Sequence, residues 1–191
     1  MRRTLFSLAL FVALLIAYWA SPFISLHRLA ASIEARDVAA MSEQVDFVRI
    51  RRALIEQIVT AYLRLTGRER LGVLMASALG ASVVDPLVDQ ILNPASILEL
   101  LRGGSIATDL GGVSFDEGEP PIAALNSIWR AWLHADYWWD RVSIELPFDA
   151  ARSEQFRFQM NLINWRWKLT RIELPEKLST RFAQEVAKKF P

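Results

Sequence analysis

Between positions 4 and 26 no side chain carries a charge, an unbroken run of 23 residues bounded by Arg2 and Arg3 before it and His27 and Arg28 after it. A helix of that length, rising about 1.5 Å per residue, crosses a hydrocarbon layer of about 30 Å with some tilt. The apolar pattern does not stop at the end of the run. Phe23, Leu26, Ala30 and Ile33 recur at helical spacing, which predicts an amphipathic continuation ending near Arg36. Asp37 is placed to cap a short turn through Met41. Asp46 is placed to cap a second helix, in which Phe47, Ile50, Leu54, Ile58, Ala61 and Leu65 form one stripe and Gly67 is the stop.

Residues 71–84 are uncharged as well, but fourteen residues are short for a membrane span and predict a buried core helix. Asp85-Pro86 breaks it, and Asn93-Pro94 caps a further short helix, "ASILELL". Residues 103–121 hold five of the eight glycines and two prolines, which predicts a flexible loop with room for one short strand at 113–115. A helix over 122–134 carries Trp129 and Trp132. After it the period changes to two. Val142, Ile144 and Leu146 alternate with Ser143 and Glu145, and Phe156, Phe158, Met160 and Leu162 alternate with Arg157, Gln159 and Asn161, as in half-buried strands. Asn164 falls in the turn to "WRWKLTRIELP". There Trp165, Trp167 and Leu169 share one parity and Ile172 and Leu174 the other, so a bulge or strand end is expected at Thr170 or Arg171. Pro175 opens a last helix carrying Leu178, Phe182 and Val186.

The expected fold class is therefore α+β. An anchor helix over residues 1–26 leads into a single domain over 27–191, whose helical first half packs on a C-terminal antiparallel sheet of about three to four strands, followed by a closing helix. Composition agrees: 191 residues, 52% hydrophobic, 23% charged and a net charge of +1 describe an ordinary folded domain and exclude both disorder and a basic nucleic-acid surface. With no cysteine, disulfides, thiolate nucleophiles, cysteine metal sites and lipoprotein acylation are excluded too.

Three segments, "ARDVAAMSEQVDFVRIRRALIEQI", "VVDPLVDQILNPASILELL" and "FRFQMNLINWRWKLTRIELP", resemble the blocks of a bacterial family known as domain of unknown function 2939. Its Val-Asp-Phe-Pro-x-Leu-Arg pattern is met by Val45, Asp46, Phe47, Ile50 and Arg51, with Val48 in place of proline. Its Thr-Pro step is met by Asn93-Pro94, and its closing block by Trp167 through Pro175, with Asn164 where glycine is common. The resemblance implies an architecture and a bacterial envelope setting, and no reaction. In that setting Arg2 and Arg3 place the N-terminus in the cytoplasm and the domain in the periplasm, as a single-pass inner-membrane protein. The alternative is secretion to the periplasm after signal cleavage. Cleavage after Ala20 or Ala17 would set Tyr18 or Leu15 where a small residue is required, and Tyr18 and Trp19 fit an interfacial aromatic belt better.

Chemistry-bearing patterns are sparse. His27 and His134 are the two histidines, no G-x-S-x-G or phosphate loop is present, and Asp116, Glu117 and Glu119 match no calcium-loop spacing. No catalytic residue, metal or cofactor is expected. Six of the seven tryptophans fall between 129 and 167, and they are read first as core. Trp129, Trp132, Trp138, Trp165 and Trp167 are the candidates for an aromatic-lined pocket that takes an apolar or lipid-like ligand between helices and sheet. Three functional readings follow: a non-enzymatic tethered module that binds an envelope partner or organises an assembly, a binder of such a ligand, and a hydrolase-like enzyme using His134, Asp136 and Asp140.

Overall fold

In the computed structural model the described residues are 2–67, 106–108, 111–113, 133–148 and 151–189. The expected helices over 71–84 and 94–101 lie outside them, as does all of the expected helix over 122–134, with Trp129 and Trp132, except its last two residues. The first helix, α1 (Arg2–Glu34), is continuous for 33 residues, so the apolar run and the amphipathic stripe are one element. It ends in a Schellman motif. Arg36 takes φ 57°, its N–H donates to the Ile33 carbonyl at 3.2 Å, and the Asp37 N–H donates to the Ser32 carbonyl at 2.9 Å.

Asp37 then accepts from the Ala40 N–H and caps α2 (Val38–Gln44), three residues longer than the turn expected from sequence. Asp46 accepts from the Arg49 N–H and caps α3 (Phe47–Leu65), and Gly67 ends it at φ 65°. Between the two helices the chain touches the sheet: Val45 makes a parallel bridge to Leu169, and the Asp46 N–H donates to the Leu169 carbonyl at 2.8 Å.

Inside the glycine-rich stretch a separate two-stranded ladder forms, β1 (Ile106–Thr108) antiparallel to β2 (Gly111–Val113). Of the short strand expected at 113–115, Val113 lies in β2, and 114–115 lie outside the described residues. The main sheet is a meander, β3 (Ala135–Trp138), β4 (Arg141–Leu146), β5 (Phe156–Ile163) and β6 (Arg166–Glu173), all neighbours antiparallel. Four strands agree with the upper expected number. Strand β3, which the two-residue alternation does not reach, is short and pairs along its whole length with β4.

Each strand points one parity inward. Tyr137, Val142, Met160 and Leu169 stand in one row across the sheet, and Ala135, Ile144, Phe158 and Ile172 in another. Leu169 and Ile172 share a face because the register slips by one residue between them, leaving Thr170 as the bulged residue. Thr170 is 4% exposed, and its hydroxyl donates to Asn161 Oδ1 at 2.6 Å, so the extra residue is satisfied internally.

The helices cover the inward face. Leu26, Leu29, Ala30 and Ile33 of α1, Met41 of α2, Ile50, Leu54, Ile58 and Tyr62 of α3 and Phe182, Ala183 and Val186 of the last helix, α4 (Glu176–Lys189), join the strand side chains in one core. The opposite face is polar, as expected of an antiparallel sheet wet on one side. Across it Arg157 Nε donates to Glu145 Oε1 at 3.0 Å, and Nη1 lies 3.7 Å from Glu173. These contacts, the Glu145 hydrogen bond first, raise the guanidinium pKa further above its ordinary range. Gln57 of α3 closes the β6 edge: its amide donates to the Ile172 carbonyl at 2.9 Å and accepts from the Leu174 N–H at 2.9 Å, as a neighbouring strand would.

Candidate functional site

Among the described residues, one set of interactions between distant parts of the chain lies where α1 leaves the domain. Pro22, buried in mid-helix, has no N–H for the Tyr18 carbonyl four residues before it. Ser21 replaces that donor, its hydroxyl reaching the Tyr18 carbonyl at 2.6 Å. The same oxygen accepts the indole N–H of Trp167 at 2.8 Å. Trp167 is 4% exposed, and a buried indole N–H needs such a partner. One hydroxyl thus repairs the helix at its proline and ties it to β6.

Two further contacts flank this bridge. The Tyr18 hydroxyl donates to the Trp139 carbonyl in the β3–β4 turn. Trp19 stacks on Tyr137, with centroids 4.6 Å apart and planes 7° from parallel, and Tyr137 in turn meets Trp167 at 6.4 Å in a tilted arrangement. Burial, with Tyr18 nearby as a lesser cause, raises the Tyr137 phenol above its ordinary pKa of 10.0. Among the described residues its hydroxyl has no hydrogen-bond partner.

Both turns at this end of the sheet carry tryptophan. Trp139 and Asp140 form the β3–β4 turn; Asn164 (φ 49°) and Trp165 (φ 62°) form the β5–β6 turn. The Leu162 N–H donates to the Asp140 carbonyl at 2.8 Å and holds the two hairpins side by side. Trp138, Trp139 and Trp165 are 63%, 81% and 89% exposed. On the polar face the Arg141 guanidinium lies 5.9 Å above the Trp138 ring.

Of the five candidate tryptophans, then, Trp167 is core, Trp138 and Trp165 face outward, and Trp129 and Trp132 lie outside the described residues. Sequence periodicity gave Trp165 and Trp167 one face. Trp165 instead occupies a left-handed turn position, where strand parity no longer applies. Ser21 and Tyr137 were not singled out from sequence, although a serine immediately before a helical proline is a readable sign that it compensates the missing donor.

A second feature is a cleft of about 460 Å³ between α3, the end of β6 and α4, lined by Glu56, Gln57, Arg64, Arg171, Glu173 and Glu176 among others. Its mixed charges include no histidine. His134, Asp136 and Asp140 are all exposed, with His134 packed 4.9 Å from Phe148. Among the described residues no three acidic or histidine side chains are grouped to hold a metal.

By length and composition the segment Thr4–Glu34 can cross a membrane, and none of its most apolar window is buried in the protein. No curated protein and no solved structure matches the chain. The family model described as "Protein of unknown function (DUF2939)" matches residues 11–100, which run from the exposed part of α1 through α2 and α3 and beyond. Over those residues the chain is similar to the domain of unknown function 2939 family.

Proposed function

We propose that this protein is a single-pass membrane-tethered module that holds its α+β domain at the periplasmic face of a bacterial inner membrane, where it binds a partner or organises an envelope assembly without catalysis. The observation that carries this reading is the double use of α1. Residues 4–17 are exposed and apolar, while Phe23, Leu26, Leu29, Ala30 and Ile33 of the same helix belong to the core. A cleavable leader has no need to be built into the fold, and a flexible tether would not be joined to its domain without a break. Arg2 and Arg3 favour a cytoplasmic N-terminus by the positive-inside rule.

Carbonate extraction and mass spectrometry of the native N-terminus test the tether. The intact chain should stay with the membrane, and a mature chain beginning at Ser21 would overturn the reading. A C-terminal alkaline phosphatase fusion should be active, since the C-terminus is placed outside the cytoplasm. Purification from detergent-solubilised membranes should carry a stoichiometric protein partner.

A further inference from the structure

We propose that the two hairpin tips seat in the headgroup region of the bilayer that α1 spans, with Trp138, Trp139 and Trp165 as the inserting side chains. This rests on the tether reading above and adds a membrane-contact surface to it.

The argument begins with length. Only residues 4–17 of α1 project clear of the domain, and fourteen residues rise about 21 Å, against about 30 Å of hydrocarbon. The remaining thickness, about 9 Å, must be crossed by the part of α1 that follows. From Tyr18 onward that part is flanked by the tips: Tyr18 bonds the Trp139 carbonyl and Ser21 bonds Trp167. Any tilt of α1 shortens its projection and brings the tips deeper. With Arg2 and Arg3 held at the far surface, the tips meet the near one.

The side chains at the tips suit that depth. Three largely exposed tryptophans at one end of a sheet are costly in water and favourable at a headgroup boundary, where an indole has apolar and polar neighbours. Trp19, 52% exposed on α1, lies at the same level, stacked on Tyr137. Trp165 occupies a turn position at φ 62° where glycine is the usual residue, a conformation unfavourable for a bulky side chain and unexplained by packing at 89% exposure. Exposed Arg141 and Arg166 flank the turns and match lipid phosphates, while exposed Asp140 limits entry to the headgroup layer.

Because the chain has no cysteine, one introduced thiol is a unique label site. Full-length Trp139→Cys and Trp165→Cys, each keeping the other tip tryptophans, are labelled with an environment-sensitive nitrobenzoxadiazole dye in phosphatidylethanolamine–phosphatidylglycerol vesicles. Leu10→Cys reports on α1, and exposed Ser153→Cys reports on the opposite end of the sheet. The labels at 139 and 165 should show blue-shifted emission and quenching by lipids carrying a nitroxide high on the acyl chain, while the label at 153 shows neither.

If 139 and 165 behave as 153 does while 10 is quenched by a deep nitroxide, the seating is wrong and the tether stands. An unquenched label at 10 removes the tether itself. A shift at 139 and 165 in native membranes but not in these vesicles means that a protein covers the tips, which also overturns the proposal.

Discussion

At the scale of single residues, the junction of α1 with the sheet turns on two hydroxyls in opposite situations. Ser21 satisfies two groups at once, so Ser21→Ala leaves the Trp167 indole N–H and the Tyr18 carbonyl without their partner. A loss of about 1–3 kcal/mol is expected, read from thermal unfolding in detergent, with Ser21→Thr retaining most of the stability. Tyr137 is the converse case, a buried hydroxyl with no partner among the described residues. Tyr137→Phe should be neutral or stabilising at neutral pH. Its raised pKa also has a signed consequence. The folded state keeps the phenol protonated at pH values where the unfolded chain has released the proton, so this group makes stability no function of pH below 10.0 and lowers it as pH rises from there towards the raised value. Alkaline unfolding curves for the Phe variant should lack that part of the decline.

At the scale of elements, β6 is an edge strand that the helices close in two ways. Backbone pairing of Val45 and Asp46 with Leu169 occupies its middle, and the Gln57 amide occupies its end. Gln57→Ala should cost about 1–3 kcal/mol and leave the fold intact. Faster hydrogen exchange at the Leu174 amide, with the β4–β5 ladder unchanged, is the measurement that separates edge opening from general destabilisation.

The elements themselves were legible where a local rule decides them. Asp37 and Asp46 cap as their positions predict, and Thr170 is the bulge that the parity switch from Leu169 to Ile172 demands. Strand β3 was not legible. Its four residues alternate less than one full helical turn would need to be told apart, and its strand character comes from pairing with β4.

At the scale of the whole molecule, α1 carries at once a segment long and apolar enough to cross a membrane and a part of the core. Leu26, Leu29 and Ile33 are each at most 4% exposed, and burial of each contributes about 1.5–3 kcal/mol. Together they rival the about 5–15 kcal/mol that separates a folded domain from its unfolded chain. A chain beginning at Ser21 should therefore remain folded in circular dichroism, and one beginning at Ala35 should not. Survival of the shorter chain with native melting would show that α1 is only a leader laid against the domain.

The sequence by itself determined the apolar span, the helical stripes, the capping aspartates, the two-residue alternation of β4 to β6 and the bulge. Each is written in residues close together in the chain, and the physics of spacing and capping acts over that range. The tertiary structure alone decided which tryptophans are core and which are surface. Strand parity assigns Trp167 inward correctly, but Trp165 escapes parity by entering a left-handed turn, and Trp138 and Trp139 are placed by the β3–β4 register. It also decided that Tyr18, Trp19 and Ser21 meet Trp139, Tyr137 and Trp167, partners more than a hundred residues away. No local pattern encodes such a meeting, because it exists only once the helix and the sheet share one core.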